Sequence, residues 1–231
     1  IKLGMNSDFT MFDQVLMDVA LHGEGVTFVL DRAGITGADG PSHHGMWDLG
    51  LLGMVPGLRL AAPRDEQRLQ EALELAVDID DGPSVLRFSK DPLPAPLPTL
   101  RTDGEIDVLF EDGDPRVLVV GWGQFAGIAV EVGARLAQQG IGVRVVDPVW
   151  ALPVSADLIR LAGAHELVVT IEDGGLAGGL GSRLAQECRL AGVDADVREF
   201  GIPQEFLPMA TRAELMEQLG LTPRQIAATV G

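Results

Sequence analysis

The chain is poor in several things, and each shortage excludes something. Its one cysteine, Cys188, rules out a disulfide within the chain and reads as a small buried hydrophobe in a reducing compartment, the cytoplasm. It has no tyrosine and a single asparagine, Asn6. Basic residues are scarce: 17 Lys and Arg face 34 Asp and Glu, and a net charge of −17 argues against nucleic acids and anionic membranes as partners. No apolar run approaches the roughly 18 residues of a membrane-spanning helix, and the start lacks the pattern of a signal peptide. What remains is 231 residues, 46% of them hydrophobic, enough for one large or two medium domains.

The most informative stretch is Val26 to Gly45, VTFVLDRAGITGADGPSHHG. Val26 to Leu30 has the length and β-branched content of a buried strand. A loop follows that carries Arg32, Asp39, His43, His44 and the glycines Gly34, Gly37, Gly40 and Gly45. In an open parallel sheet, ligands bind beyond the carboxyl ends of the strands, so this loop is a candidate site. Before it, Phe12, Val15, Leu16 and Val19 make the stripe of a helix from Met11 to Leu21. Ile1 to Thr10 has no dependable periodicity.

After the loop, Trp47 to Leu52 has helical character and Leu58 to Ala62 reads as a strand. Asp65 to Val77 reads as a helix burying Leu69, Ala72, Leu73, Ala76 and Val77, and Ser84 to Phe88 as a third strand. This is the βαβ rhythm of a parallel sheet. Asp91 to Leu100 holds four prolines in ten residues and marks a boundary. Beyond it, Val117–Val120, Val143–Val146, Leu167–Ile171 and Val197–Phe200 read as strands alternating with helices. Thr211 with Glu214 makes a capping box, and Thr222-Pro223 places proline at a first helical position.

The candidate residues each admit two readings. Arg32 offers a guanidinium fork for a phosphate, or an ion pair with Asp31 or another acid. Asp39 and His43 suit substrate hydroxyl recognition and proton transfer, or else an Asx-turn and a helix cap. The pair His43-His44 lacks a third metal ligand, and His44 reads as a surface residue; His22 and His165 stand alone. Glu172 to Ser182, EDGGLAGGLGS, follows a strand and opens a helix, but its glycines do not make GxGxxG. Close backbone approach at a domain or subunit contact is the preferred reading.

DRAGITGADGPSHHGMWDL, APRDEQRLQEAL, DDGPSVLRFSK, VVDPVWALPVS, TIEDGGLAGGLGS and GIPQEF, in this order, resemble the 1-deoxy-D-xylulose-5-phosphate synthase family of the transketolase superfamily. The resemblance runs from Met11 onward and omits the first ten residues. It implies an α/β fold: a truncated pyrimidine-binding-type domain over 1–90, a linker over 91–115 and a transketolase C-terminal-type domain over 116–231. It implies a transferase that uses thiamine diphosphate and Mg²⁺ to condense pyruvate with glyceraldehyde 3-phosphate, losing CO₂, in isoprenoid precursor synthesis. Arg32 and Lys90 match the positions that bind the acceptor's phosphate, although the second is often arginine in the family. Asp39 and His43 match residues that place the substrates near the cofactor; His44 has no such match.

The same resemblance shows what the chain lacks. The family's Mg²⁺-diphosphate site needs Gly-Asp-Gly and an Asn-Asn pair, and the sequence has neither. The glutamate that activates the aminopyrimidine is expected upstream of Met11, and no role is carried onto Phe9. The expectation is therefore a chain that is inactive alone, either a fragment of a longer synthase or a short protein needing a diphosphate-binding partner, in a homodimer or complex. Two other readings stand beside it: a non-catalytic assembly module with an open hydrophobic face, and a transketolase-like enzyme with another acceptor.

Overall fold

A computed structural model describes residues 2–3 and 12–231. The readings made for the first ten residues, for Phe9 and for Met11 as a helix start lie outside the described residues, apart from the strand at 2–3. In chain order the elements are β1 (Lys2–Leu3), a π-wound helix α1 (Val15–Ala20), β2 (Thr27–Leu30), a short 3₁₀ turn (Pro41–His43), α2 (Asp48–Leu52), β3 (Arg59–Ala61), α3 (Glu66–Val77) and β4 (Ser84–Arg87). They continue as β5 (Arg101–Asp103), β6 (Ile106–Asp112), β7 (Val117–Gly121), α4 (Phe125–Gln138), β8 (Val143–Asp147) and β9 (Trp150–Leu152). The last are α5 (Ala156–Gly163), β10 (Leu167–Gly175), α6 (Leu180–Leu190), β11 (Val197–Ile202), α7 (Arg212–Gln218) and α8 (Pro223–Val230).

Two sheets result. The first has the order β1-β2-β4-β3-β9, with β9 antiparallel to β3 and the other pairs parallel. The second has the order β11-β10-β7-β8-β6-β5, parallel from β11 to β8 and antiparallel beyond. One core joins them: Phe28, Leu60 and Val85 of the first sheet pack in the same cluster as Val108, Leu118 and Val146 of the second. A second cluster under β7, β8 and β10 is closed by α4, α7 and α8.

Several local rules hold. Asp65 caps α3 by accepting from the Arg68 N–H at 3.0 Å. Thr211 and Glu214 form the capping box, and Pro223 stands in the first turn of α8. Cys188 is buried and unpaired.

Three expectations are corrected. Residues 101–112, read as the end of a linker, form β5 and β6 of the second sheet. Asp107 and Asp112 interrupt the apolar pattern there, because Asp107 is buried against arginine rather than exposed. On α3, Ala72 and Ala76 are buried and Leu69 packs against them, but Leu73 and Val77 lie open to solvent with Leu75. A narrow seam of alanines lets the helix sit close to the strands, and the larger side chains fall outside the contact. His44 is buried, since its ring supplies the acceptor that the Thr36 N–H needs.

Candidate functional site at the carboxyl edge of the first sheet

Strands β2 and β4 are parallel neighbours, with Leu30 opposite Arg87. Arg32 and Lys90 therefore emerge just past the same end of adjacent strands, as a ligand crevice requires. The Ala33 N–H donates to the Phe88 carbonyl at 3.1 Å and keeps the two exits together. Between the cations stands Asp39, whose Oδ2 lies 2.6 Å from Lys90 Nζ and 3.5 Å from Arg32 Nη1. The hydrogen bond from Lys90 holds the Asp39 carboxyl below its usual range, against the opposing effect of desolvation. Arg32 remains half exposed, so its fork is open to a further anion.

The loop that carries Asp39 is tied to itself. The Gly45 N–H donates to the Gly34 carbonyl at 2.7 Å, and Thr36 Oγ1 donates to the His43 carbonyl at 3.1 Å. Gly37 and Gly40, at φ of 79° and 85°, supply the left-handed turns that close it. His43 is half-buried at the lip, its Nδ1 3.0 Å from Ser42 Oγ. His44 turns inward and accepts the Thr36 N–H at 3.2 Å on Nδ1, which places its proton on Nε2. Burial lowers its pKa, and the Pro208 carbonyl works against that. The four residues singled out from sequence thus share one loop-and-strand edge. Of the two readings of Arg32, the structure shows an ion pair with an acid, Asp39.

Beneath this edge lies a charge cluster that the sequence reading did not single out. Arg87 donates through Nε to Asp48 at 2.7 Å and through Nη1 to Asp173 at 2.8 Å, all three being buried. Asp173 also meets Arg212 at 3.3 Å. Burial disfavours the Asp173 carboxylate, but the two arginines outweigh it and its pKa falls; burial leaves that of Asp48 raised. A signal existed: an arginine inside the buried run SVLR must have partners.

The glycine-rich stretch that begins in the last residues of β10 behaves as a contact. The Gly175 N–H donates to the Met46 carbonyl at 3.1 Å, and a Cβ on Gly174 would stand 2.5 Å from Leu49 Cδ1. Glu172 turns under it to accept the N–H groups of Leu180 and Gly181, at 2.9 and 2.8 Å, at the start of α6. An apolar groove of about 330 Å³ between Trp47 and Gly178 lies along the same seam; its lining carries no titratable group and includes none of the four site residues.

Two family models match the chain: "Transketolase, pyrimidine binding domain" over residues 3–96 and "Transketolase, C-terminal domain" over 104–226. The chain belongs to the transketolase family. Among its transketolase relatives, 1-deoxy-D-xylulose-5-phosphate synthase from Clavibacter sepedonicus is 56% identical over 220 residues, covering 95% of this chain and 34% of that protein. The enzyme of the same name numbered 1 from Kitasatospora griseola is 54% identical over 218 residues, 94% of this chain and again 34% of that protein. The chain thus spans about a third of the length of the curated relatives it matches. A solved split-gene transketolase, described as an inactive β4 tetramer, superposes with a TM-score of 0.84 at 26% identity over 99% of this chain and 73% of its own. The transketolase of Campylobacter jejuni superposes with a TM-score of 0.81 at 19% identity, covering 99% of this chain and 34% of its own, and speaks to the fold alone.

The family depends on thiamine diphosphate. Among the described residues no three His, Cys, Asp or Glu side chains are grouped to hold a metal, and the open edge presents two cations around one carboxylate. No helix among the described residues is long and apolar enough to cross a membrane.

Proposed function

We propose that this chain forms the acceptor-phosphate side of a synthase that condenses pyruvate with glyceraldehyde 3-phosphate, losing CO₂, as a 1-deoxy-D-xylulose-5-phosphate synthase does. The observation that carries the reading is the convergence of Arg32 and Lys90, from adjacent strand ends, on the single Asp39 oxygen. Two cations sharing one carboxylate leave a net positive edge, which a phosphate satisfies and a neutral sugar does not. Arg32 contributes a fork, Lys90 a point charge. Asp39, held ionised by Lys90, accepts hydrogen bonds from sugar hydroxyls, and His43 at the lip moves a proton to or from the acceptor's oxygen.

Glycerol 3-phosphate binding to the chain tests this. Each charge-assisted contact contributes about 1.5–3 kcal/mol, so Arg32→Ala should weaken binding by at least roughly tenfold and the Arg32→Ala/Lys90→Ala pair by roughly a hundredfold or more. Unchanged binding in the double variant would remove the phosphosugar reading and favour another acceptor.

Carbanion chemistry belongs to the cofactor, and the residues that would hold its Mg²⁺-diphosphate end must come from elsewhere. The chain supplied with thiamine diphosphate and Mg²⁺ should therefore release no CO₂ from pyruvate. Measurable release would overturn the division of labour proposed here. A partner-dependent assembly role remains a second reading, favoured by the exposed Leu73, Leu75 and Val77 on α3. A cytoplasmic homodimer, or a complex with a diphosphate-binding domain, is the setting that fits either.

A further inference from the structure

The loop with Asp39 and His43 starts from the first sheet but rests on the second domain. Gly34, at φ 70°, sits against the Asp173 carboxylate so closely that a Cβ there would overlap it. The next carbonyl, Ile35 O, accepts from Arg212 Nη1 at 2.7 Å, and a Cβ on Gly37 would stand 3.1 Å from the Arg212 N atom. Arg212 is fixed in turn. Its guanidinium lies 5.6 Å from the Phe125 ring centroid, 3.3 Å from Asp91 and 3.3 Å from Asp173 Oδ2. The other oxygen of Asp173 takes Arg87 Nη1, on the strand that delivers Lys90. One buried carboxylate therefore connects the Lys90 strand, through Arg87 on Oδ1, to the Asp39 loop, through Arg212 on Oδ2 and the close contact with Gly34.

We infer that Asp173 and Arg212 are positioning residues: from the second domain they set the separation between Lys90 and the Asp39–His43 turn, and so the affinity of the edge for a phosphate. This rests on the anion-binding reading above. Their effect on Arg32, Asp39 and Lys90 passes through Gly34, Ile35 and Arg87. The arrangement also gives physical content to the close approach of the two domains. A shift of β10 relative to β4 would move both sides of the edge.

Charge alone and positioning predict opposite signs for Asp173→Asn. Removing a negative charge near an anion site should strengthen phosphate binding by simple electrostatics. Losing the carboxylate that holds the two segments should weaken it. Gly34→Ala leaves every charge in place and displaces the loop from Asp173. Titration of the whole chain with glycerol 3-phosphate, followed by amide and imidazole NMR shifts, is the measurement. Both variants are expected to bind roughly tenfold more weakly, a coupling of ordinary size between linked positions. Resonances of Thr36, Asp39 and His43 should be displaced before ligand is added, while signals of α8 stay in place.

Arg32→Ala is the control in the same titration. Weakening by Arg32→Ala, with Asp173→Asn and Gly34→Ala binding as tightly as the parent or more so, overturns the inference and leaves the anion site standing. Binding unaffected by Arg32→Ala overturns the anion site and the inference with it. If Asp173→Asn does not fold, Gly34→Ala decides.

Discussion

Arg64→Met should destabilise the fold by about 3–5 kcal/mol at pH 7.5, the usual cost of stripping one partner from a buried charge cluster. Arg64 stands before α3 and reaches into the second sheet, where Nη1 lies 2.7 Å from Asp107 and 2.8 Å from Asp147, residues directly opposite each other on β6 and β8. Its Nη2 and Nε also hold Thr99 Oγ1 and the Leu97 carbonyl of the proline-rich segment. Methionine fills the space but leaves two buried carboxylates facing one another, with Arg68 as the remaining cation at Asp107. The loss should depend on pH. Burial pushes the Asp147 carboxyl up from 3.8 to about 6 even with Arg64 present. An acid whose folded pKa is raised stabilises the fold below its unfolded pKa, and that advantage fades as pH rises through the folded value. Without Arg64 the folded value climbs further, so the deficit of the variant should be largest at pH 7.5 and shrink toward pH 5. Urea melts at the two pH values measure it; a deficit below 1 kcal/mol, or one that grows on acidification, would contradict the account.

Glu172→Gln should change the pH profile of stability more than its level. Burial raises the Glu172 carboxyl from 4.5 to about 7, and the N–H groups of Leu180 and Gly181 only partly offset this. The folded protein therefore binds this proton more tightly than the unfolded chain, and wild-type stability falls as pH rises from about 4.5 toward 7. Glutamine carries no such proton. Relative to wild type, the variant should gain on the order of 3 kcal/mol between pH 4.5 and pH 7.5, since one pKa unit corresponds to about 1.4 kcal/mol. A single amide oxygen replaces two carboxylate oxygens as acceptor for the two N–H groups, which adds a constant penalty and leaves the slope intact. Thermal melts across that range provide the readout; a wild-type-minus-variant difference that stays flat would place the proton elsewhere.

The two predictions concern residues that a linear reading passes over. Arg64 lies in APRDEQ, which reads as the polar start of a helix, and Asp65 does cap that helix. Nothing nearby in the chain announces that Asp107 and Asp147 meet the arginine from β6 and β8. Glu172 reads as part of a polar turn after a strand ending at Ile171, yet it lies within β10, buried beneath the glycines that follow it. Asp173 looks equivalent by sequence, but two arginines lower its pKa while burial raises that of its neighbour.

Local rules placed the elements. Val26 to Leu30 supplies a β-branched apolar run, Thr211 and Glu214 a capping box, and Pro223 a helix start, each set by residues within a turn of one another. The loop with Arg32, Asp39 and His43 was legible for the same reason, since its glycines and charged side chains follow a strand end directly. Lys90 was assigned through family resemblance; its approach to Asp39 required β2 and β4 to be neighbours. Tertiary structure alone decided the rest: that His44 turns inward, that Leu73 and Val77 face outward, that β6 completes the second sheet, and that Asp173 and Arg212 support a loop more than a hundred residues away. The physical reason is shared. Periodicity and capping act over a few residues, whereas the burial of a charge depends on which distant partner the fold brings to neutralise it.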